Sequence, residues 1–421
     1  MLVYQNLPVW DQKAAVADIK NRFVGEEETL KESYDRLIVQ LQKKKEEILA
    51  AGPAYIPTCS YQDIVNNNGK IPDDIAERVH NTGCFVIKGV IDPEEVLACK
   101  KEIQDYWYGN EERTGNKVRA VQNAKGLTKL RQHPDLVKCM AAANALWHDP
   151  SGNTEWVADK PMMYVDGCRI RLAGQPGGMP AHVDSGGIDR WHHPAYRQCY
   201  EKIWQGKWEE HDAWDVTERV NLHLQCNKLF RAFQGWVALS EAGVDKGTIR
   251  LCPAIKEQSA YYLLKTLVDP EMTEKRWPQV HGISLREELY PLINECLVTI
   301  PDVQPGDYVL WHCDLGHSVE YTHNGDKDSS VAYIPASPMC PLNARYLVDQ
   351  RVTYLEGAKG PDFQIRDHEK GLETTYEPHP SEDDLSDLGK QLMGFAPYTL
   401  GPNDDEKTKN ITQKCNEILG F

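Results

Sequence analysis

The chain has no apolar run approaching the roughly 20 residues of a membrane-crossing helix, so a membrane-embedded role is not expected. Its first residues, MLVYQNLPVWDQK, lack a basic segment followed by an apolar one, which gives no export or organellar signal and leads us to expect a cytoplasmic protein. Basic residues are in the minority: 47 Lys and Arg stand against 63 Asp and Glu, a formal net charge of −16. A nucleic-acid backbone calls for a basic face, so no nucleic-acid partner is expected, whereas a few arginines in a pocket still suffice to hold a small acid. The 12 cysteines, scattered from Cys59 to Cys415, include no Cys-x-x-Cys pair. That spacing argues against a zinc knuckle or a dithiol redox motif and for reduced, packed thiols. No internal repeat is present, which excludes a solenoid.

What remains is the composition of a folded globular chain of 421 residues, 41% hydrophobic and 26% charged. From about Asp11 to Ala51, apolar residues recur at three- and four-residue spacing among Lys and Glu, which predicts one or two amphipathic helices, with the Gln42-Lys-Lys-Lys45 run on a solvated face. Gly52-Pro53 and Ile56-Pro57 break them. The segment Gly83-Cys-Phe-Val-Ile-Lys-Gly89 reads as a strand, followed by a helix from Asp92-Pro93 whose first turn carries Glu94 and Glu95, where negative charge suits the helix dipole. Between about Met162 and Pro335 the pattern changes to short apolar strands punctuated by Gly, Pro and Asp, the clearest being Gly167–Leu172, Phe233–Leu239 and Gly247–Cys252. After Pro338 comes a helix and then a charged, Pro-rich tail.

The chemistry concentrates in two places. In Met179-Pro-Ala-His182-Val-Asp184-Ser-Gly-Gly187, His182 and Asp184 are two residues apart, and strand side chains at i and i+2 share a face, so an imidazole nitrogen and a carboxylate oxygen can meet one metal ion. Two histidines and one carboxylate form the facial triad of non-haem Fe(II) oxygenases. The second place is Pro305-Gly-Asp307-Tyr-Val-Leu-Trp311-His312-Cys-Asp-Leu-Gly-His317-Ser318: a turn, a strand of β-branched and aromatic residues, and another turn. His312, His317 and His323 all compete to be the third ligand, His312 also reading as a hydrogen-bonded wall residue, His323 as a solvated loop residue and Cys313 as wall packing.

The succession Gly83-Cys-Phe-Val-Ile-Lys-Gly89, His182-Val-Asp184, Val237-Ala-Leu-Ser-Glu with Gly247-Thr-Ile-Arg-Leu-Cys-Pro253, Gly306-Asp307 and His317-Ser318 resembles the phytanoyl-dioxygenase-like branch of Fe(II)/2-oxoglutarate oxygenases. Asp189-Arg-Trp191, Trp204-Gln-Gly-Lys-Trp208, Trp311-His312-Cys-Asp and Tyr333-Ile-Pro-Ala-Ser-Pro338 are closer still to the YbiU-like proteins of bacteria and fungi. The resemblance implies an α+β fold: residues 81–370 form a double-stranded β-helix (jelly roll, cupin-like) with flanking helices, 1–80 a helical extension, and 371–421 a tail packed on the domain. It implies His182, Asp184 and His317 as the ligands of Fe(II), with 2-oxoglutarate as cosubstrate and O2 as oxidant. The reaction implied is oxidation of an unactivated C–H bond by hydroxylation, desaturation or ring closure. Asp184 argues against halogenation, because halogenases of this fold lack the carboxylate.

The sequence departs from the wider family in one respect. Those enzymes place an arginine about ten residues past the distal histidine to grip the far carboxylate of 2-oxoglutarate, and Tyr321–Ser330 contains none. Arg169 and Arg171, alternating on one strand face, are the leading substitutes; Arg250, Lys327 and Arg345 are others, and Ser318 and Ser330 offer hydroxyls. The expected partner is a small polar molecule, an amino acid or hydroxy acid, met by Tyr164, Trp191 and His192, with His193 and Tyr196 nearby. Trp204, Trp208 and Trp214 read as packing residues. Two other classes fit the same residues: a cupin-type metal-dependent hydrolase or isomerase, and a non-catalytic iron or 2-oxo-acid sensor.

Overall fold

The computed structural model describes residues 12–110, 121–184, 187–220, 229–273, 276–278, 282–363 and 372–421. Its described strands are β1 (Thr58–Ser60), β2 (Cys84–Lys88), β3 (Val157–Pro161), β4 (Cys168–Arg171), β5 (Met179–Val183), β6 (Phe233–Ala238), β7 (Ile249–Leu251), β8 (Ile283–Ser284), β9 (Val298–Thr299), β10 (Tyr308–His312), β11 (His317–Val319), β12 (Ser329–Tyr333) and β13 (Pro338–Met339). They form a six-stranded sheet in the order β1-β2-β10-β6-β12-β4, a five-stranded sheet in the order β8-β5-β11-β7-β9, and the pair β13-β3. The fold is thus α+β with several sheets. Among the described strands only β1 and β2 pair in parallel; a single parallel bridge also joins His148 to Asp215. Thr58–Ser60 lies within the 1–80 helical extension, just past the expected breaks at Gly52-Pro53 and Ile56-Pro57, and β1 adds to the edge of β2.

Apolar periodicity builds the rest. In the helix Glu27–Ala51 the buried residues Leu30, Leu37, Leu41 and Ile48 form one stripe that packs against the helix Ile255–Val268, where Tyr34 stacks on Tyr261 at 6.0 Å. Gly52, at φ 56, ends that helix. The Lys43–Lys45 run is less solvated than its sequence suggests: Lys44 meets Glu257 at 3.7 Å and Lys45 meets Glu295 at 2.8 Å. The helix Pro93–Gly109 begins as expected, with the Asp92 carboxylate accepting from the Glu94 and Glu95 amides. β6 and β10 are buried along their whole length, because the sheet is covered on both faces. At the C-terminal end, the helices Pro341–Leu355 and Glu406–Leu419 share a small core of Ala344, Leu347, Ile411, Cys415 and Leu419. The eleven cysteines among the described residues are all free thiols, ten of them buried. No described helix is long and apolar enough to cross a membrane.

Candidate metal centre

The two larger sheets enclose a cavity of about 330 Å³, lined by β4, β6, β10 and β12 from one and β5, β7 and β11 from the other. At the low end of small-ligand sites, that volume suits a compact polar molecule.

β5 and β11 are antiparallel neighbours, and His182 pairs directly with His317 across them. Their rings lie 4.2 Å apart, inclined at 50°. Asp184, one residue beyond β5, returns to the same face as His182: its carboxylate is 3.5 Å from His182 Nε2 and 3.4 Å from His317 Nε2. The three ligand atoms lie within 4.8 Å of one another. Both imidazoles are oriented from behind, since His182 Nδ1 bonds the Pro180 carbonyl at 2.8 Å and His317 Nδ1 bonds the Leu315 carbonyl at 2.9 Å. A ring nitrogen facing a carbonyl carries a proton, so Nε2 is the atom each imidazole turns toward Asp184, a donor to the carboxylate when the ring is charged and a lone pair for a metal when it is neutral. Burial pushes the His182 imidazole below its ordinary pKa, reinforced by His317 and opposed by Asp184. Burial alone raises the Asp184 carboxyl, but the hydrogen bond and charge of His317, then His182 and Gln234, hold it well below the usual carboxylate range. Neutral imidazoles and an ionised carboxylate are the forms that bind a cation.

Gln234 supplies the next layer. Its amide nitrogen donates to Asp184 Oδ2 at 2.7 Å, and its Oε1 accepts the Trp311 indole N–H at 2.9 Å. The sequence reading missed Gln234, although an amide within a strand otherwise buried and largely apolar was a signal. It also missed Arg231, Asp166, Thr248 and Asp362, which line the cavity.

His312 is not brought to the triad. Its Nε2 bonds the Ala213 carbonyl at 2.9 Å, its Nδ1 accepts from the Asp314 amide, and its ring stacks on Trp147. His312, Cys313 and Asp314 cluster closely enough to suggest a second metal site, but the Asp314 carboxylate is engaged by Arg190 at 2.8 Å and Arg219 at 2.7 Å. This is a buried ion-pair centre, with Cys313 in the wall. His323, expected in solvent, is buried beside Gly247 and Gly325.

The cosubstrate candidates separate by depth. Arg169 lines the cavity and donates only a long bond, 3.4 Å, to the Gly177 carbonyl. Arg171, on the same strand face, is buried and consumed by the carbonyls of Gln175, Gly247, Glu320 and Tyr321. Gly247 permits this: it sits at φ +69, and a Cβ there would come 2.7 Å from Arg171 Nη1. Ser318 alternates with His317 and faces away from the cavity, and Ser330 is buried outside it and bonded to Asp328. Arg250 caps the Leu297 carbonyl, Lys327 is exposed beside Glu241, and Arg345 is exposed on the helix Pro341–Leu355. Of the substrate candidates, Tyr164 lines the cavity and donates to Asp362 at 3.3 Å. Trp191 is packed between Tyr262 and Trp204, outside the lining. His192 pairs with Asp18 at 3.3 Å, His193 accepts from the Tyr196 amide, and Tyr196 packs under Arg190. Trp204, Trp208 and Trp214 are buried packing residues, as expected.

The fold and site define an α+β protein with a His-Asp-His cluster in a cavity between two sheets. The chain belongs to the Gig2-like family, which it matches over residues 11–395. It is 29% identical over 415 residues to the uncharacterised Escherichia coli K12 protein YbiU, covering 91% of this chain and 97% of that one. Its structure is similar to that of GlcNAc Inducible Gene 2 from Candida albicans, with a TM-score of 0.85, 27% identity, and coverage of 99% of this chain and 97% of the other. It is also similar to a Salmonella typhimurium LT2 protein described as a candidate oxidoreductase, with a TM-score of 0.84, 28% identity, and coverage of 93% and 99%. The likeness to YbiU therefore extends along the chain, while the expected phytanoyl-dioxygenase-like branch gives way to the Gig2-like family.

Proposed function

We propose that this protein is an Fe(II)/2-oxoglutarate-dependent oxygenase acting on an unactivated C–H bond of a small polar substrate. The observation that carries the reading is the cluster of two Nε2 lone pairs and one carboxylate, each fixed by a hydrogen bond from behind, in a cavity large enough for a small ligand. The donor set fits Fe(II): two neutral imidazoles and one carboxylate, leaving half an octahedral shell to non-protein ligands. With the metal bound, 2-oxoglutarate and O2 would supply the oxidising power and leave as succinate and CO2, the remaining oxygen atom ending in the product as a hydroxyl or, in desaturation or ring closure, in water.

The chain's own residues bind, orient and exclude. Gln234 fixes Asp184 by holding Oδ2, the oxygen nearest His317, while Oδ1 faces His182. Arg169 receives the distal carboxylate of 2-oxoglutarate, with the Ser329 and Thr248 hydroxyls lining the same cavity. Trp236, Trp311, Val331 and Tyr333 form walls that keep bulk water from the reacting bond. A six-stranded sheet facing a five-stranded one across the ligand cavity supports the double-stranded β-helix as the underlying architecture. The relative described as a candidate oxidoreductase is consistent with an enzyme.

The test is anaerobic titration of the full chain with Fe(II) and then 2-oxoglutarate. Bidentate chelation gives a weak visible charge-transfer band at one equivalent of metal, and His317→Ala and Asp184→Ala abolish it. Metal-replete protein without the band sinks the assignment and favours the hydrolase or sensor classes.

A further inference from the structure

Among the described residues, the cavity holds two guanidiniums without an ion-pair partner. Arg169 has its long bond to Gly177, and Arg231 has the face of Tyr164, 5.3 Å from its guanidinium carbon, with Asp166, Asp184 and Asp362 acting on it through their charge but none in ion-pair contact. The fully buried arginines have close partners: Arg171 bonds four carbonyls, Arg131 bonds those of Gln122 and Asp166, and Arg190 and Arg219 pair with Asp314. A guanidinium in a cavity wall with no carboxylate in ion-pair contact retains donor capacity for a ligand.

The two arginines are not redundant. On the six-stranded sheet, Arg169 lies level with Val331 of β12, Trp236 lies level with Tyr333, and Phe233 bridges to Ala336. Arg231 precedes Phe233 by two residues, so along β12 it stands beyond Ala336, roughly 16 Å or more of strand from the Arg169 level. Gln234, which holds Asp184, lies between these levels. By backbone level, a dicarboxylate reaching from the triad toward Arg169 heads away from Arg231, so the two side chains, which line one cavity, are read as serving two occupants.

We propose that Arg231 is the receptor for a carboxylate on the primary substrate, which makes that substrate a small organic acid held on the side of the metal opposite the Arg169 subsite. The proposal rests on the oxygenase reading for the identity of the other occupant, but not for the existence of an acid-binding guanidinium. Tyr164 and Asp362, beside Arg231, would contact the same end of the substrate, so an amino acid and a hydroxy acid are distinguished by which of the two binds more tightly.

The experiment is isothermal titration calorimetry of the full chain with matched acid and amide pairs: L-alanine and L-alaninamide, L-proline and L-prolinamide, lactate and lactamide, benzoate and benzamide. Each pair is run on metal-free protein and on protein loaded with Mn(II) and 2-oxoglutarate. At least one acid should bind on the order of tenfold more tightly than its amide, and Arg231→Gln should erase that gap. Arg231→Lys should retain part of it, since the charge stays and the fork is lost. The affinity for 2-oxoglutarate should change by less than about threefold in Arg231→Gln and fall on the order of tenfold in Arg169→Gln. Absence of any acid preference in the wild type, its survival in Arg231→Gln, or a loss of 2-oxoglutarate affinity matching that of Arg169→Gln overturns the proposal. If wild-type protein takes up neither Mn(II) nor 2-oxoglutarate, the oxygenase reading fails, and the metal-free titrations still decide the role of Arg231.

Discussion

Replacing Gln234 with leucine isolates what holds the triad in shape. The side chain donates to Asp184 at 2.7 Å and accepts from Trp311 at 2.9 Å, so Leu removes both bonds at similar volume. Losing the charge-assisted bond frees the Asp184 carboxylate to rotate, and bonds to charged groups are worth about 1.5–3 kcal/mol. That corresponds to about a 10- to 100-fold loss of metal affinity, the range typical for residues that orient metal ligands. Trp311 is only 4% exposed, so its orphaned N–H adds a destabilisation of about 1–3 kcal/mol even without metal. Gln234→Glu keeps the acceptor for Trp311 but sets a carboxylate against Asp184, so it should weaken the apo protein as pH rises while leaving the indole satisfied. Co(II) titration followed by its visible absorption gives the affinity, and urea unfolding of metal-free protein gives the stability. Wild-type Co(II) affinity in Gln234→Leu, with a folded cavity, would refute the reasoning.

Other consequences are as concrete. Asp314→Asn leaves Arg190 and Arg219 buried against a neutral amide and should cost about 3 kcal/mol or more in urea unfolding; a loss below about 1 kcal/mol would mean that the guanidiniums find other partners. Arg171→Met strips four carbonyls of their donor and should destabilise by about 3 kcal/mol or more, with Gly247→Ala weaker in the same direction; both should show as lowered melting temperatures. Glu373 is raised by burial from 4.5 to about 7, against the opposing Asn123 and Gln122 amides and the charge of Arg131. Its folded form holds the proton more tightly than the unfolded form, so its contribution is present below pH 4.5 and lost as pH rises through 7, up to about 3 kcal/mol. Glu373→Gln should flatten the stability profile across that window, and an unchanged slope would count against a buried, proton-holding carboxyl.

How much of this could be read in advance depended on whether period or depth was being asked. Period two put His182 and Asp184 on one face, and the resemblance selected His317 from three candidates; the structure brings those three side chains together. The same periodicity put Arg169 and Arg171 on one face, yet only Arg169 lines the cavity, because alternation fixes a face and not how far along a strand the void extends. Asp314 drew no reading of its own from the sequence, and nothing local revealed that Arg190 and Arg219, 124 and 95 residues away, would claim it. Trp191 and His192 were close to Asp184 in sequence, but the short helix Ile188–His192 turns them toward Tyr262 and Asp18 instead. Arg231 gave no signal, because its importance comes from a neighbouring level of the sheet, not from its own segment.

Because His182 and His317 are cross-strand partners, the spacing of the two imidazoles is measured out by backbone pairing and needs no metal to set it. Sliding either ladder rung by a single residue would throw one ring to the opposite side of the sheet. If the cluster takes up the proposed metal, loading becomes a gauge of correct strand alignment, since a chain mis-zipped at β5 and β11 would keep its helices and lose the site, and loading would report refolding yield before any substrate is known.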